Sequence, residues 1–134
     1  MDEGEELLAR LNGRYGSSYT VDGRLMLKKD KLFVYSGPES KLRGVWNGLH
    51  IGCVDLSLTI EGAQKLGTTA SKNTVTVTTN QARAYYDGED LKGFPGEGPV
   101  ILKTKDRVIG PGLIVDGAIR NSLPQSRKTS RRGL

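Results

Sequence analysis

Two side chains in this sequence have the chemistry of a nucleophile and its base. His50 and Cys53 are its single histidine and single cysteine, and their spacing allows a Cys–His pair. Their surroundings argue against one. Cys53 lies in the apolar stretch from Ile51 to Leu56, where a free cysteine behaves as a small buried hydrophobe. His50 alone reads as a surface or hydrogen-bonding histidine. A zinc site needs about four ligands, and two candidates do not suffice. The one carboxylate cluster, "DGED" at 87–90, reads as a solvated helix terminus rather than a metal site. "GFPGEGP" and "GPG" match neither the Walker nor the dinucleotide fingerprint and read as turns. These residues predict no catalysis, no metal and no cofactor.

The cations carry a stronger signal. In "VILKTKDR" strand alternation sets Lys103 and Lys105 opposite Leu102 and Thr104, with Arg107 near the same edge. Arg120 and Asn121 come from the last ribbon. Lysine and arginine neutralise phosphates, and asparagine pairs with a base edge. An ordinary solvated strand face is the competing reading. The formal net charge is +5, but residues 1–13 carry a net −3, which leaves +8 for the rest. Half of that +8 is Arg127, Lys128, Arg131 and Arg132. Such asymmetry favours a polyanionic partner, against a tail that only aids solubility. Strand cations and basic tail together point to RNA.

The elements that must hold these residues are short. With 134 residues, 18 of them glycine and 6% aromatic, the chain suits one turn-rich β domain with a small core. "EGEELLARLN" (3–12) predicts an amphipathic helix that stops at Asn12-Gly13. "GRLMLKK" and "KLFVYSG" flank Lys29-Asp30 as a hairpin. "GPESKLRG" (37–44) and "GVWNGLHIG" (44–52) read as loops, the second packed by Trp46 and Leu49 and leading into a strand, "IGCVDLSL". Thr59 caps a helix "IEGAQKL" that stops at Gly67. "NTVTVTT" (73–79) alternates as a strand, and Thr78 with Gln81 forms a capping box for "TNQARAYY". Three strands follow, "VILKTK", "RVIG-PG-LIVD" and "AIRNSL", with Pro111 expected at an edge or bulge. The total is five to seven strands and two or three helices in a barrel-like sheet. No apolar run reaches membrane-spanning length, and the acidic amino terminus is not a secretory signal. A soluble, cytoplasmic, monomeric protein is expected.

Ordered together, several of these motifs resemble the PUA-like domain, in the variant at the carboxy terminus of Sun-type RNA 5-methylcytosine methyltransferases. A helix there ends in Tyr-x-x-Gly-Glu, matched by Tyr85, Gly88 and Glu89, or by Tyr86 with altered spacing. A Gly-x-Gly strand follows (Gly110, Gly112), then a Gly-x-x-(Lys/Arg)-Asn-x-x-Pro close (Gly117, Arg120, Asn121, Pro124). The methyltransferase's glycine-rich cofactor fingerprint and Pro-Cys motif have no counterpart here. The resemblance implies an α+β fold: a small mixed β pseudobarrel with short helices over 44–124, after a helix-hairpin extension (1–43) and before a basic tail expected to be disordered (125–134). It implies RNA binding, to structured tRNA or rRNA, without catalysis and in concert with a separate RNA-modifying enzyme chain. Its glycine-bearing loop adds Arg43, Asn47 and His50 to Lys103, Lys105, Arg107, Arg120, Asn121, Arg127 and Lys128 as RNA contacts. A structural loop plugged by Trp46 is the alternative for 43–52. A protein-interaction module docking on a methyltransferase or ribosomal partner is the alternative for the whole.

Overall fold

The computed structural model describes residues 2–35 and 48–121. The first helix, α1 (Glu3–Tyr15), starts from a capping box in which the Glu5 N–H donates to Asp2 Oδ1 at 2.8 Å. It runs past the expected stop at Asn12-Gly13 and ends at Gly16, in the left-handed region at φ 58°. The extra turn delivers Tyr15 to the core. That side chain is fully buried, and its hydroxyl donates to the Leu56 carbonyl at 2.7 Å. Burial pushes its pKa up to about 12. Asn12 serves the following loop instead, donating to the Tyr19 carbonyl and accepting from the Tyr19 N–H.

Strands β1 (Arg24–Lys28) and β2 (Lys31–Tyr35) pair across the expected hairpin. Lys29 and Asp30 both take positive φ, 49° and 68°, as the tightest two-residue connection demands. The next strand, β3 (Leu49–Cys53), begins inside the stretch read as a loop and ends well before Leu58. A bulge opposite Leu32 and Phe33 disturbs its register with β2, which hides the alternation in the sequence. It ends because the Asp55 carboxylate accepts from both the Ser57 N–H and hydroxyl, at 3.0 and 2.6 Å, closing a turn. Those bonds hold the Asp55 carboxyl below its usual pKa. As expected, Thr59 caps α2 (Ile60–Gly67), accepting from the Gly62 N–H at 3.0 Å. Gly67 falls inside the last turn rather than after it.

A second, five-stranded sheet has the order β4-β6-β7-β8-β5 and curls into a half-barrel. Its members are β4 (Thr74–Thr76), β5 (Leu91–Lys92), β6 (Gly98–Lys103), β7 (Val108–Val115) and β8 (Ala118–Asn121). The β4–β6 pair is parallel and the rest are antiparallel. The α3 helix (Thr79–Tyr86) carries the expected Thr78/Gln81 capping box. Eight strands and three helices are thus described, one strand more than expected: β5, at two residues, is too short to show alternation, and β4 covers only three residues of the strand expected over 73–79. Pro111 is not at a sheet edge: β7 is internal. It pairs with Ile101 of β6, one residue beyond the last described β7–β8 pair, Gly112 with Asn121. The architecture is the expected α+β half-barrel behind a helix and hairpin. The extension is tied in closely, since β3 hydrogen-bonds to β2 across the anticipated boundary at residue 43.

Two cores lie on either side of β6. Leu11, Tyr15, Leu32, Ile51, Leu66 and Ile101 fill the first. Tyr85, Val100, Leu102, Ile109, Ile114 and Ile119 fill the second. No helix among the described residues is long and apolar enough to cross a membrane.

The tightest joint is between α2 and β3, where a Cβ on Gly62 would stand 1.9 Å from the Ile51 carbonyl oxygen. Backbone cannot yield cheaply there. Gly62→Ala is therefore expected to destabilise the protein by about 1–3 kcal/mol, read as a lower urea midpoint. A wild-type midpoint would show that α2 can lift off β3 at no cost.

Candidate nucleic-acid interface

The connection between β6 and β7 gathers the densest set of expected site residues. Because β6 ends at Lys103, residues 104–107 form a turn closed by the Thr104 N–H on the Arg107 carbonyl at 2.8 Å. Lys105 and Arg107 are exposed at its tip with Asp106 between them. Strand alternation, the basis for grouping Lys103 with Lys105, stops before Lys105. Lys103 is instead half-buried, and its ammonium donates to the Gly67 carbonyl at 2.9 Å, where the α2 dipole favours a cation.

Two grooves flank the tip. One, of about 450 Å³, lies on the α2 side and is lined by Gln64, Thr68, Lys103, Lys105 and Arg107 among others. The other, of about 420 Å³, lies on the α3 side, with Thr79, Arg83, Tyr86, Asp106 and Arg107. Arg107 lines both. Gln64 Nε2 donates to the Val108 carbonyl at 3.0 Å and fixes α2 against the returning strand. A bulge at Ile109, between the pairs Leu102–Gly110 and Lys103–Val108, re-aims the hairpin next to this turn. Four cations and one carboxylate thus share the rim. Sequence reasoning missed Arg83 and Tyr86; their i, i+3 spacing on α3 was the available signal.

Arg120 and Asn121 lie elsewhere and are engaged internally. The Asn121 side-chain amide donates to the Tyr85 carbonyl at 2.6 Å and the Glu89 carbonyl at 3.1 Å. Its backbone N–H donates to Asp90 Oδ1 at 2.7 Å, and the Asp90 Oδ2 pairs with Arg120 Nη1 at 3.2 Å. The amide expected to read a base edge is closing the carboxy end of α3. Asp90, expected in a merely solvated cluster, is the other half of that clasp. Tyr85, fully buried, also sends its hydroxyl to the Pro111 carbonyl. The Tyr-x-x-Gly-Glu, Gly-Pro-Gly and Arg-Asn segments are therefore one hydrogen-bonded unit, and Tyr85 rather than Tyr86 is its centre.

His50 sits on β3, not in a loop. Its Nε2 lies 3.1 Å from the Gly52 carbonyl and 3.7 Å from Cys53 Sγ. With Nε2 donating to a carbonyl, the ring is not placed as a base for the thiol. Its pKa is lowered, chiefly by burial and also by Lys31, against opposing effects from the Gly52 carbonyl and Glu61. Among the described residues no three His, Cys, Asp or Glu side chains converge as a metal site would need. Arg43, Asn47, Arg127 and Lys128 lie outside the described residues.

Residues 72–128 match the family model described as the methyltransferase RsmF PUA domain. That span takes in the whole five-stranded sheet, α3 and the clasp. Over that span the chain is similar to a PUA domain. Over 66 residues, 48% of the chain, the sequence is 38% identical to ribosomal RNA small subunit methyltransferase F of Aliivibrio fischeri (strain MJ11). The match covers 14% of that relative's length. What the family model matches in this chain is a PUA domain and not a catalytic one.

The clasp and the ion pair should separate on mutation. Asn121→Leu removes the side-chain donor shared by the Tyr85 carbonyl, which keeps the Gly88 N–H, and the Glu89 carbonyl just beyond α3, and is expected to cost about 2 kcal/mol. Arg120→Ala removes only an exposed pair and should cost under about 1 kcal/mol; equal costs in urea melts would refute the asymmetry. The single histidine gives a second reading. With its pKa depressed in the folded state, the unfolded chain binds more protons, so stability is full above about pH 6.5. It falls as pH drops through the folded value. The Hε1 resonance should titrate with a midpoint below 6.5, and one at or above that value would show that the ring is not desolvated.

Proposed function

We propose that this protein binds structured ribosomal RNA through the β6–β7 turn and its two grooves, and presents that RNA to an RNA-modifying enzyme. The observation that carries the reading is the PUA-domain match over a sheet whose central hairpin raises Lys105 and Arg107 between Lys103 and Arg83. The relative's name favours small-subunit ribosomal RNA over transfer RNA. The turn meets phosphates: Lys105 and Arg107 at the tip, Arg83 from α3, and Lys103 as a fixed charge behind them. A helix-flanked groove on each side suits the ridge of an RNA backbone, where recognition is largely of shape. Arg127 and Lys128 add unselective attraction. Arg120 and Asn121 act through the fold, by holding α3 on the sheet. The module itself performs no chemistry in this reading, acting as a monomer in the cytoplasm.

Replacing both tip cations tests it. Lys105→Ala with Arg107→Ala should lower affinity for a small-subunit ribosomal RNA fragment about tenfold at physiological salt, and should flatten the slope of log affinity against log salt by roughly 2. Arg127→Ala with Lys128→Ala should weaken all RNAs alike and preserve any preference. Unchanged affinity and slope in the tip variant would remove the turn from the interface.

A further inference from the structure

The three-stranded sheet carries a second surface of a different kind. Strand register places Met26 opposite Phe33 and Phe33 opposite His50, a row running across β1, β2 and β3. Their neighbours Leu25, Leu27, Leu32 and Leu49 turn the other way, into the first core. The outer row is ordered by its own contacts. The Phe33 and His50 rings stack with centroids 5.1 Å apart and planes 29° apart. Phe33 and Tyr35 lie 6.4 Å apart at 26°. Tyr35 is buried, its ring against Gly48, and so backs the row, while Met26, Phe33 and His50 remain partly exposed. His50 is held from behind, its carbonyl accepting from the Thr59 hydroxyl at 2.5 Å. Its ring is anchored on the Gly52 carbonyl, and burial favours the neutral form.

Charge surrounds these rings. The two-residue period of a strand puts Arg24 and Lys28 on the face of Met26, and Lys31 on the face of Phe33. Lys31 and Glu61 are the charged groups felt at His50. A sheet face with aromatic rings in the middle and cations along its margins matches what a single nucleic-acid strand offers: flat bases to stack and phosphates to neutralise. The flanking cations favour a polyanionic strand over an apolar protein segment.

We propose that the outer face of β1–β2–β3 is a base-stacking platform for single-stranded RNA, with Phe33 and His50 under the bases and Arg24, Lys28 and Lys31 along the phosphates. The platform is distinct from the β6–β7 turn, and it rests on the RNA-binding reading. Together the two surfaces would let one module hold a structured element and the unpaired strand beside it.

The test uses the full chain with two probes, a labelled ten-nucleotide oligouridylate and a blunt RNA duplex, read by fluorescence anisotropy. Phe33→Leu keeps an apolar side chain and removes the ring. It is expected to weaken oligouridylate binding about tenfold and leave duplex binding unchanged, whereas Phe33→Tyr should bind oligouridylate like wild type. Independently of any variant's folding, titrating oligouridylate into the wild-type protein should move the Hε1 resonance of the single histidine upfield, as a stacked base requires. Oligouridylate affinity untouched by Phe33→Leu, with that resonance unmoved, overturns the platform and leaves the face to a protein partner, while duplex binding through the turn would stand. Wild-type protein that binds neither probe overturns the platform and the RNA reading together.

Discussion

Everything in this fold is arranged around the fact that β6 is buried on both faces. Its run Val100-Ile101-Leu102 has no exposed side. Ile101 reaches into the core of the helix-hairpin region, and Val100 and Leu102 reach into that of the half-barrel. A strand with polar alternation could join only one of these cores. The backbone repeats the same double role, pairing in parallel with β4 and antiparallel with β7. Arg14 of α1 adds a third tie, donating from Nη2 to the Pro99 carbonyl at 2.6 Å and so fastening the amino-terminal helix to the start of β6. The amino-terminal region is therefore packed against the half-barrel as part of one arrangement.

That shared strand explains why the glycine-rich segment of β7 is where it is. β7 lies directly beside β6 and must accept the large side chains of its neighbours. At Gly112 a Cβ would come within 2.8 Å of Ile119 Cγ2 and 3.5 Å of Leu102 Cδ2, so the glycine makes room for residues on both adjoining strands. Pro111 stands one residue beyond the last described β7–β8 pair, and its carbonyl receives the Tyr85 hydroxyl. The Gly-Pro-Gly segment, weak as strand material in isolation, is what allows a tyrosine from α3 to lock the helix onto the sheet. Asn121 locks the same helix at the same residue, through the Tyr85 carbonyl.

How much of this could be read from the chain follows from the range of each signal. Thr59, the Thr78/Gln81 box and the Lys29-Asp30 turn act over three or four residues, and all three are visible as local chemistry. β3 was obscured because a bulge breaks its alternation and because Gly48 and Gly52 mark it as a loop. The length of α1 was misjudged because Asn12-Gly13 looks like a stop, while the reason to continue, the burial of Tyr15 beneath Leu56, lies 41 residues away. The site divides in the same way. Lys105 and Arg107 are legible as cations. That Lys103 bonds to the end of α2, and that Asn121 closes α3 rather than facing solvent, depend on partners 36 residues distant. The row Met26–Phe33–His50 comes from two strand pairings and cannot be seen in any single window.

The same long-range contacts decide which charges are left to face a partner. A cation near a helix carboxy terminus is held there by the dipole, and Lys103 is taken by α2. A cation opposite a carboxylate is partly neutralised, and Arg120 is taken by Asp90. What remains at the β6–β7 turn is displayed because the strand stops at Lys103 and the Ile109 bulge turns the hairpin between two helices. The folded domain thus offers a few cations at positions set by its hydrogen bonds, which a charge count could not distinguish from the rest. Net charge of +5 describes attraction at a distance. The pattern of internal bonds determines where on the surface that attraction can become a specific contact.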